Sequence, residues 1–239
     1  MTILHVTDFH FNQRWFDWVL HDAPSHDLLV MSGDMLDLSL PTPQRKQIEW
    51  VSDWINRYPG EICLCSGNHD LEWDADAERW TPAYWLRDLA NPRVWSDGQR
   101  VERDGLSILN IGCTTRPKGG EADIWVVHAP PSRTLVATRS NGADYGDQEL
   151  IGSVRRHAPR LVLSGHIHTP MQWHEQVGAT LYLNPGRNAD AAFPNHILVN
   201  TERMSCQFMA ASSNELRAEI IPVPLSAVAE TTGAATAVA

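Results

Sequence analysis

Five short, apolar, β-rich runs in this chain each end in a cluster of Asp, Asn or His. The clusters are Asp8-Phe9-His10, Gly33-Asp34-Met35-Leu36-Asp37, Gly67-Asn68-His69-Asp70, the lone His128 of Val126-Val127-His128-Ala129-Pro130-Pro131, and Gly165-His166-Ile167-His168. Uninterrupted apolar strands belong to parallel sheets covered on both faces. Such folds collect their sites in the loops beyond the carboxyl ends of the strands. The chain is therefore constrained to a fold in which five strand ends meet, and the residues brought together are ligands for divalent metals.

The order of elements fits that constraint. Thr2 to Val6 reads as a buried strand, and Asn12 as the cap of a helix with Trp15, Phe16, Val19 and Leu20 on one face. Asp27 to Met31 is the next strand, and a second helix is predicted from about Pro43 to Tyr58 on the stripe Trp50, Val51, Trp54, Ile55 and Tyr58. Ile62 to Cys65 follows, so the first third is a strand–helix alternation, the mark of parallel βαβ units. Leu71 to Arg79 is expected as an acidic loop, with Glu72, Asp74, Asp76 and Glu78 a solvated face and Trp73 anchoring the loop. Thr81-Pro82 is expected to open a helix reaching about Leu89.

Beyond Val94 the pattern changes to short strands with turn signals, including Leu106 to Ile111 and Ile124 to Val127. Asp147 is placed to cap a helix carrying Leu150, Ile151 and Val154, and Arg160 to Leu163 runs into Gly165-His166. Thr180 to Leu183, His196 to Asn200, Ser205 to Met209 and Arg217 to Val223 read as antiparallel strands closing a second sheet. One domain is expected over residues 1–225, and 226–239, small and polar without periodicity, as a disordered tail.

Composition narrows the function. A formal net charge of −10 argues against a broad nucleic-acid or anionic-membrane surface, which needs clustered Lys and Arg. It leaves room for a small phosphate held by metal ions. No apolar stretch approaches a membrane span, and no secretory leader is expected ahead of Thr2. Cys63, Cys65, Cys113 and Cys206 form no zinc-type pair, which points to a reduced, cytoplasmic protein.

In an extended segment, residues i and i+2 project to one side, so Asp8 with His10, and His166 with His168, each aim two ligands into one space. Asp8, His10, Asp34, Asn68, His128, His166 and His168 make seven candidate ligands, too many for one ion and suited to two that share a carboxylate. Dications about 4 Å apart repel strongly, so a bridging anion such as Asp34 and a bridging hydroxide are needed between them. Two carboxylates, the hydroxide and a phosphodiester would then balance four positive charges.

The blocks D-x-H, G-D-x-x-D, G-N-H-D, H and G-H-x-H, in this order, resemble the calcineurin-like metallophosphoesterase family over residues 4 to about 186. The resemblance implies an α/β fold, a four-layered αββα sandwich, and a pair of Mn, Fe or Zn ions. It implies one metal held by Asp8, His10, Asp34 and His168, and the other by Asp34, Asn68, His128 and His166. His69 matches the family residue that protonates or stabilises the leaving-group oxygen, and Asp37 the carboxylate that orients it. The stretches Val127 to Pro131 and Leu181-Tyr182-Leu183-Asn184-Pro185-Gly186 look most like the small cyclic-phosphodiesterase-related branch. Phe11 departs from the Gly common after the first His. Only Cys113 to Asp123 separates the Ile111 strand from the Ile124 strand, where relatives often place a helix, so part of the usual rim is expected to be missing. Leu38 stands where Ser/Thr protein phosphatases have Arg, which weighs against a phosphoprotein substrate.

The resulting expectation is a two-metal hydrolase of phosphate esters, a small cyclic-nucleotide-like diester foremost, acting through a metal-bridging hydroxide. A nuclease or phosphomonoesterase of the same family is the alternative. A scaffold that has lost catalysis is disfavoured by the intact ligand set, and oligomeric state is left open. Asp70 reads as a turn-stabilising neighbour of the ligands. His5, His21, His26, His157, His174 and His196 match no motif and are expected to be non-functional.

Overall fold

The computed structural model describes residues 1–115, 120–211 and 216–223. The expected tail, 226–239, lies outside the described residues. Two mixed sheets stack face to face with helices on their outer faces, the αββα sandwich that the motif order implies.

The first sheet is built on β1 (Thr2–Val6), β2 (Leu28–Ser32) and β3 (Glu61–Cys65), with β6 (Val94–Trp95) at its edge, all parallel. Helices α1 (Gln13–His21) and α2 (Gln44–Arg57) make the crossovers. On β1 the pleat sends Ile3 to the space between the sheets, with Val30 and Cys63 from its neighbours, while Leu4 and Val6 face Trp15, Phe16, Val51 and Trp54 of the helices. Both faces are thus apolar, as the continuous hydrophobic runs require.

In the second sheet, β8 (Leu106–Ile111), β9 (Ile124–Val127), β10 (Leu161–Leu163) and β12 (Thr180–Leu183) run parallel. The edges are antiparallel: β7 (Arg100–Arg103) beside β8, and β11 (His174–Val177) beside β12. Helix α3 (Gln148–His157) covers the outer face, setting Leu150 and Val154 against Trp125, Val127 and Val162. The Asp147 carboxylate caps α3 by accepting from the Glu149 and Leu150 N–H groups, as its position predicts.

Four expectations are corrected. The strands β13 (His196–Asn200), β14 (Ser205–Ala211) and β15 (Leu216–Pro222) extend the first sheet and not the second. β13 pairs antiparallel with β1, setting Val199 opposite Ile3, so the inner apolar face continues across the junction. The acidic loop after Asp70 contains a hairpin, β4 (Glu72–Asp74) with β5 (Arg79–Thr81). Its cross-strand Trp73 and Trp80 rings pack edge to face at 5.3 Å and each stays about half exposed. The helix expected from Pro82 shrinks to a 3-10 stretch, Tyr84–Asp88, and the Asn12 side chain makes no capping bond to α1.

His5 faces Ser32 within the first sheet, Nε2 2.8 Å from the hydroxyl, while Nδ1 has no partner. It is fully buried, and burial pushes its pKa down to about 3. A histidine kept neutral in the native state contributes nothing above its ordinary pKa of about 6.5. Below that value the unfolded chain takes up a proton that the folded chain refuses, so stability falls with pH from about 6.5 toward 3. Denaturant titrations of metal-stripped protein at pH 7 and pH 4.5 should therefore show a smaller acid loss for His5→Leu than for wild type. Equal losses would show that other groups carry the acid sensitivity.

Candidate metal centre

The C-terminal ends of β1, β2, β3, β9 and β10 open onto one rim of the sandwich. All seven predicted ligands meet there, from both sheets. Asp8, His10 and His168 form one triplet of donor atoms and Asp34, His128 and His166 another, each within 4.8 Å. In the first, His10 Nε2 and His168 Nε2 are 3.1 Å apart, and His168 Nε2 lies 3.5 Å from Asp8 Oδ1. In the second, His128 Nε2 is 3.1 Å from Asn68 Oδ1, 3.2 Å from His166 Nδ1 and 3.3 Å from Asp34 Oδ2. The same Asp34 oxygen is 3.6 Å from His10 Nε2, so it faces both triplets.

Donors bound at about 2.0–2.2 Å to one ion lie about 3 Å from each other, which is the spacing found in both groups. The donor set of imidazole nitrogens with carboxylate and amide oxygens suits a borderline divalent ion. On both counts the residues fit metal binding.

The chain reaches these positions through strained backbone. Asp8, His10, Phe11, Asp34 and His166 all have positive φ, between 44° and 66°. The left-handed region costs a non-glycine residue roughly 1–2 kcal/mol, and such strain collects at functional sites. Two glycines permit the close approach of the loops. A Cβ on Gly67 would fall on the Asp34 carboxylate, and one on Gly165 would meet Thr7 and Asp8.

Asp8, Asp34 and His128, three of the candidate ligands, are oriented by neighbours. Asp8 Oδ2 accepts from the Thr7 hydroxyl and the His166 N–H, and Asp34 Oδ1 accepts from the His69 N–H at 2.8 Å. His128 Nδ1 donates to the Ser32 carbonyl at 2.9 Å, directing Nε2 into the centre. Asp70, fully buried, accepts from the Leu36 and Gly67 N–H groups and so ties the β2 and β3 loops together. This is the structural place expected for it. Burial, reinforced by the nearby Asp34 charge, lifts its carboxyl to about 7.

The electrostatics divide the histidines. Burial opposes charge on Asp34, but His128 and the His69 N–H hold its carboxyl below the ordinary range. Asp8 is held low against its burial by His168 and His128. Burial also disfavours a charged His128, yet Asp34 and Asp8 lift it to about 10. Burial brings His10 down to about 4, against the pull of the two carboxylates, and burial together with His128 does the same to His166. One imidazolium thus sits among acceptors where a cation is wanted, with neutral rings beside it.

His69 is partly exposed and packs edge-on to the His10 ring at 4.5 Å. It also belongs to a third donor group with His10 and Asp34. Its Nδ1 accepts from the Leu38 N–H at 3.2 Å. The expected orienting carboxylate, Asp37, stands 3.8 Å from that nitrogen and instead accepts from the Ser39 N–H and hydroxyl. Burial works against its ionisation, and the Ser39 bonds hold its pKa below the ordinary value. The orienting contact to His69 therefore comes from backbone at the residue after Asp37, which no side-chain motif announces.

Thr7, Ser32 and Asn184 are further parts of the site without a chemical signature of their own. Asn184 donates to the Gly165, Ile167 and Val136 carbonyls, clamping the His166–His168 loop to the end of β12. A cleft of about 150 Å³ lies beside His128, lined by Ile111, Cys113, Val127, Asp147 and Leu150. Among the described residues no helix is long and apolar enough to cross a membrane.

Among solved structures, the chain is similar to TT1561 of Thermus thermophilus, with 15% identity, TM-score 0.55 and coverage of 91% of this chain and 97% of that one. It also matches Yfce, a phosphoesterase from E. coli, at 13% identity and TM-score 0.46, covering 93% of this chain and 100% of that one. At 15% identity the TT1561 match speaks for the fold alone. No curated protein is similar enough in sequence to count as a match. The family model for calcineurin-like phosphoesterases, by contrast, matches residues 1–170, the stretch that supplies every ligand described above. With most of its length and its whole donor set inside that match, the chain belongs to the calcineurin-like phosphoesterase family.

Proposed function

We propose that this metal-dependent phosphoesterase holds two divalent ions, of the Mn, Fe or Zn type, and hydrolyses small phosphodiesters of the cyclic-nucleotide kind. The observation that carries the two-ion reading is the single Asp34 oxygen facing both donor groups, 3.3 Å from His128 Nε2 and 3.6 Å from His10 Nε2. Asp8, His10, Asp34 and His168 would hold one ion, and Asp34, Asn68, His128 and His166 the other. Bound there, such ions supply a nucleophilic water at neutral pH and neutralise charge on the phosphoryl oxygens.

The chain's own residues do the rest. Because His69 Nδ1 accepts from the Leu38 N–H, the proton of the neutral ring resides on Nε2. His69 then donates a hydrogen bond from Nε2 to the leaving-group oxygen, stabilising the negative charge that develops there. Asp37 lies 3.8 Å from His69 and 3.9 Å from His10 Nδ1, near enough for its charge to act on both rings without a hydrogen bond. Preference for a diester rests on the stretches around His128 and Pro185. The net charge of −10 supports a small substrate over a long nucleic acid.

Three measurements test this reading. Purified protein should take up about two ions per chain, and Asp34→Asn should lose more metal and more activity than Asp8→Asn. Equal losses would remove the bridging role. In a panel supplied with manganese, a bis-aryl phosphate and cyclic nucleotides should show higher kcat/KM than an aryl monophosphate. The reverse order would make the protein a phosphomonoesterase, and turnover of oligonucleotides with steeply salt-dependent binding would make it a nuclease. His69→Ala should keep its metals and lose roughly 10²–10⁴-fold in kcat on an alkoxide leaving group, but far less on a nitrophenolate. Metal loss, or equal slowing of both esters, would instead make His69 a ligand or a packing residue.

A further inference from the structure

Arg187 lies immediately beyond the Asn184-Pro185-Gly186 turn at the end of β12 and takes no part in the donor groups described above. It is locked against the centre from several sides. Its backbone N–H donates to the His168 carbonyl at 2.7 Å. Gly186 before it has φ 65°, and a Cβ there would meet that same carbonyl at 2.6 Å. On the other side Trp15, at the start of α1, lies under the guanidinium, with Cζ 5.7 Å from the ring centroid. The Trp15 indole N–H donates to the Ala191 carbonyl, pinning the far end of the loop. Arg187 therefore occupies the wedge between the loop carrying His10 and the loop carrying His168, and its charge helps to disfavour protonation of His10.

Its bonding there is incomplete. Arg187 Nε is buried with no hydrogen-bond partner, and no carboxylate among the described residues forms an ion pair with it. The rim carboxylates Asp8 and Asp34 are engaged with histidines and backbone N–H groups instead. A buried donor without an acceptor is costly, and in a chain with 29 acidic residues against 19 basic ones, an unpaired arginine beside a ligand loop is not forced by a lack of carboxylates. A guanidinium presents a planar fork that matches phosphate oxygens.

We infer that Arg187 is an anion-binding residue that grips a non-bridging oxygen of the scissile phosphoryl group from the His10–His168 side. The inference rests on the phosphoester reading of the site. The acceptor is supplied by the substrate and afterwards by the phosphate product, at the part of the half-buried guanidinium that stays accessible.

Inorganic phosphate is the probe. Calorimetric titration of manganese-loaded protein should show phosphate affinity weakened about 10–100-fold in Arg187→Met, the range for a lost hydrogen bond to a charged group. Arg187→Lys, which keeps the charge and loses the fork, should recover part of it. Manganese content and Tm should match wild type in both variants, and kcat/KM should fall for aryl monophosphate and bis-aryl phosphate alike, since both present the phosphoryl group. Unchanged phosphate affinity in a fully loaded Arg187→Met overturns the inference, including the version in which Arg187 serves a second anion remote from the reacting phosphorus. Loss of metal or of Tm in both variants also overturns it, making Arg187 a prop for His168 and Trp15. If wild type binds phosphate through Arg187 but hydrolyses no ester of the panel, the phosphoester reading fails and the anion site stands. If wild type hydrolyses esters while the Arg187 variants keep its phosphate affinity, the reading stands and the inference fails.

Discussion

Two ionised carboxylates buried on one rim set the terms for the rest of this structure. Asp8 and Asp34 are essentially removed from solvent, and taking such a charge out of water costs several kcal/mol even after the protein relaxes. Hydrogen bonds from Thr7, His166 and His69 account for one side of each carboxylate. The other side is turned toward histidines from both sheets. The protein alone answers this with one imidazolium, His128, against two like charges. Asp70 adds a third buried carboxyl, whose pKa is lifted to about 7 by burial and by Asp34. A rim so rich in negative charge and neutral imidazole is balanced by cations from outside, and metal binding becomes part of its stability.

The fold makes such a rim possible because the parallel central strands of two mixed sheets end at the same level. A parallel strand can be buried on both faces, so its polar residues are displaced to its ends, and stacking two such sheets brings two sets of ends together. The remaining distance is closed by backbone strain. Five non-glycine residues in the left-handed region lie in the loops after β1, β2 and β10. That strain is tolerated because the loops are tied to one another: Asp8 N–H to Gly33, His10 N–H to Asp34 and Gly165 N–H to His128, each to the carbonyl. Across the seam, the His166 N–H donates to the Asp8 carboxylate and His128 Nδ1 to the Ser32 carbonyl, so a substitution on one sheet can disturb a candidate ligand on the other.

Much of this was legible in the residues. The apolar runs ending in Asp8, Asp34, Asn68, His128 and His166 read correctly as strands, because double-sided burial leaves a continuous hydrophobic signature. The Asp147 cap read correctly because its chemistry is local. Local chemistry was not always enough, since Asn12 makes no capping bond to α1 and only a 3-10 turn follows Pro82, but the larger failures came where an outcome depended on pairing. β13 and β14 carry the alternation of a sheet strand, but nothing in them says which sheet, and the free edge of β1 decided it. The Trp73–Trp80 hairpin was hidden because its signal is one cross-strand pair in an acidic segment, where a loop is the ordinary expectation. At the centre, the side chains were visible and the backbone partners were not. Leu38 N–H holds His69, and the Ser32 carbonyl holds His128. Both depend on where a strand ends, which sequence marks only to within a residue or two.

The charge of the whole chain and the charge of the rim act on different ligands. A long nucleic acid meets many surface groups at once, and a net charge of −10 opposes it over the whole contact. A small phosphate ester meets only the rim. Charges farther away than the Debye length of about 8 Å at physiological ionic strength are largely screened. The acidic hairpin carrying Glu72, Asp74 and Glu78 is exposed or half-exposed, whereas His128 is buried and Arg187 half-buried, in surroundings of lower dielectric where charge is worth more. The field at the rim is therefore set mainly by the buried groups, and the exposed acidic side chains contribute little to it. The proposed small phosphate-ester substrate is in this sense consistent with an acidic chain, since the charge that opposes a long polyanion need not oppose a ligand that meets only the rim.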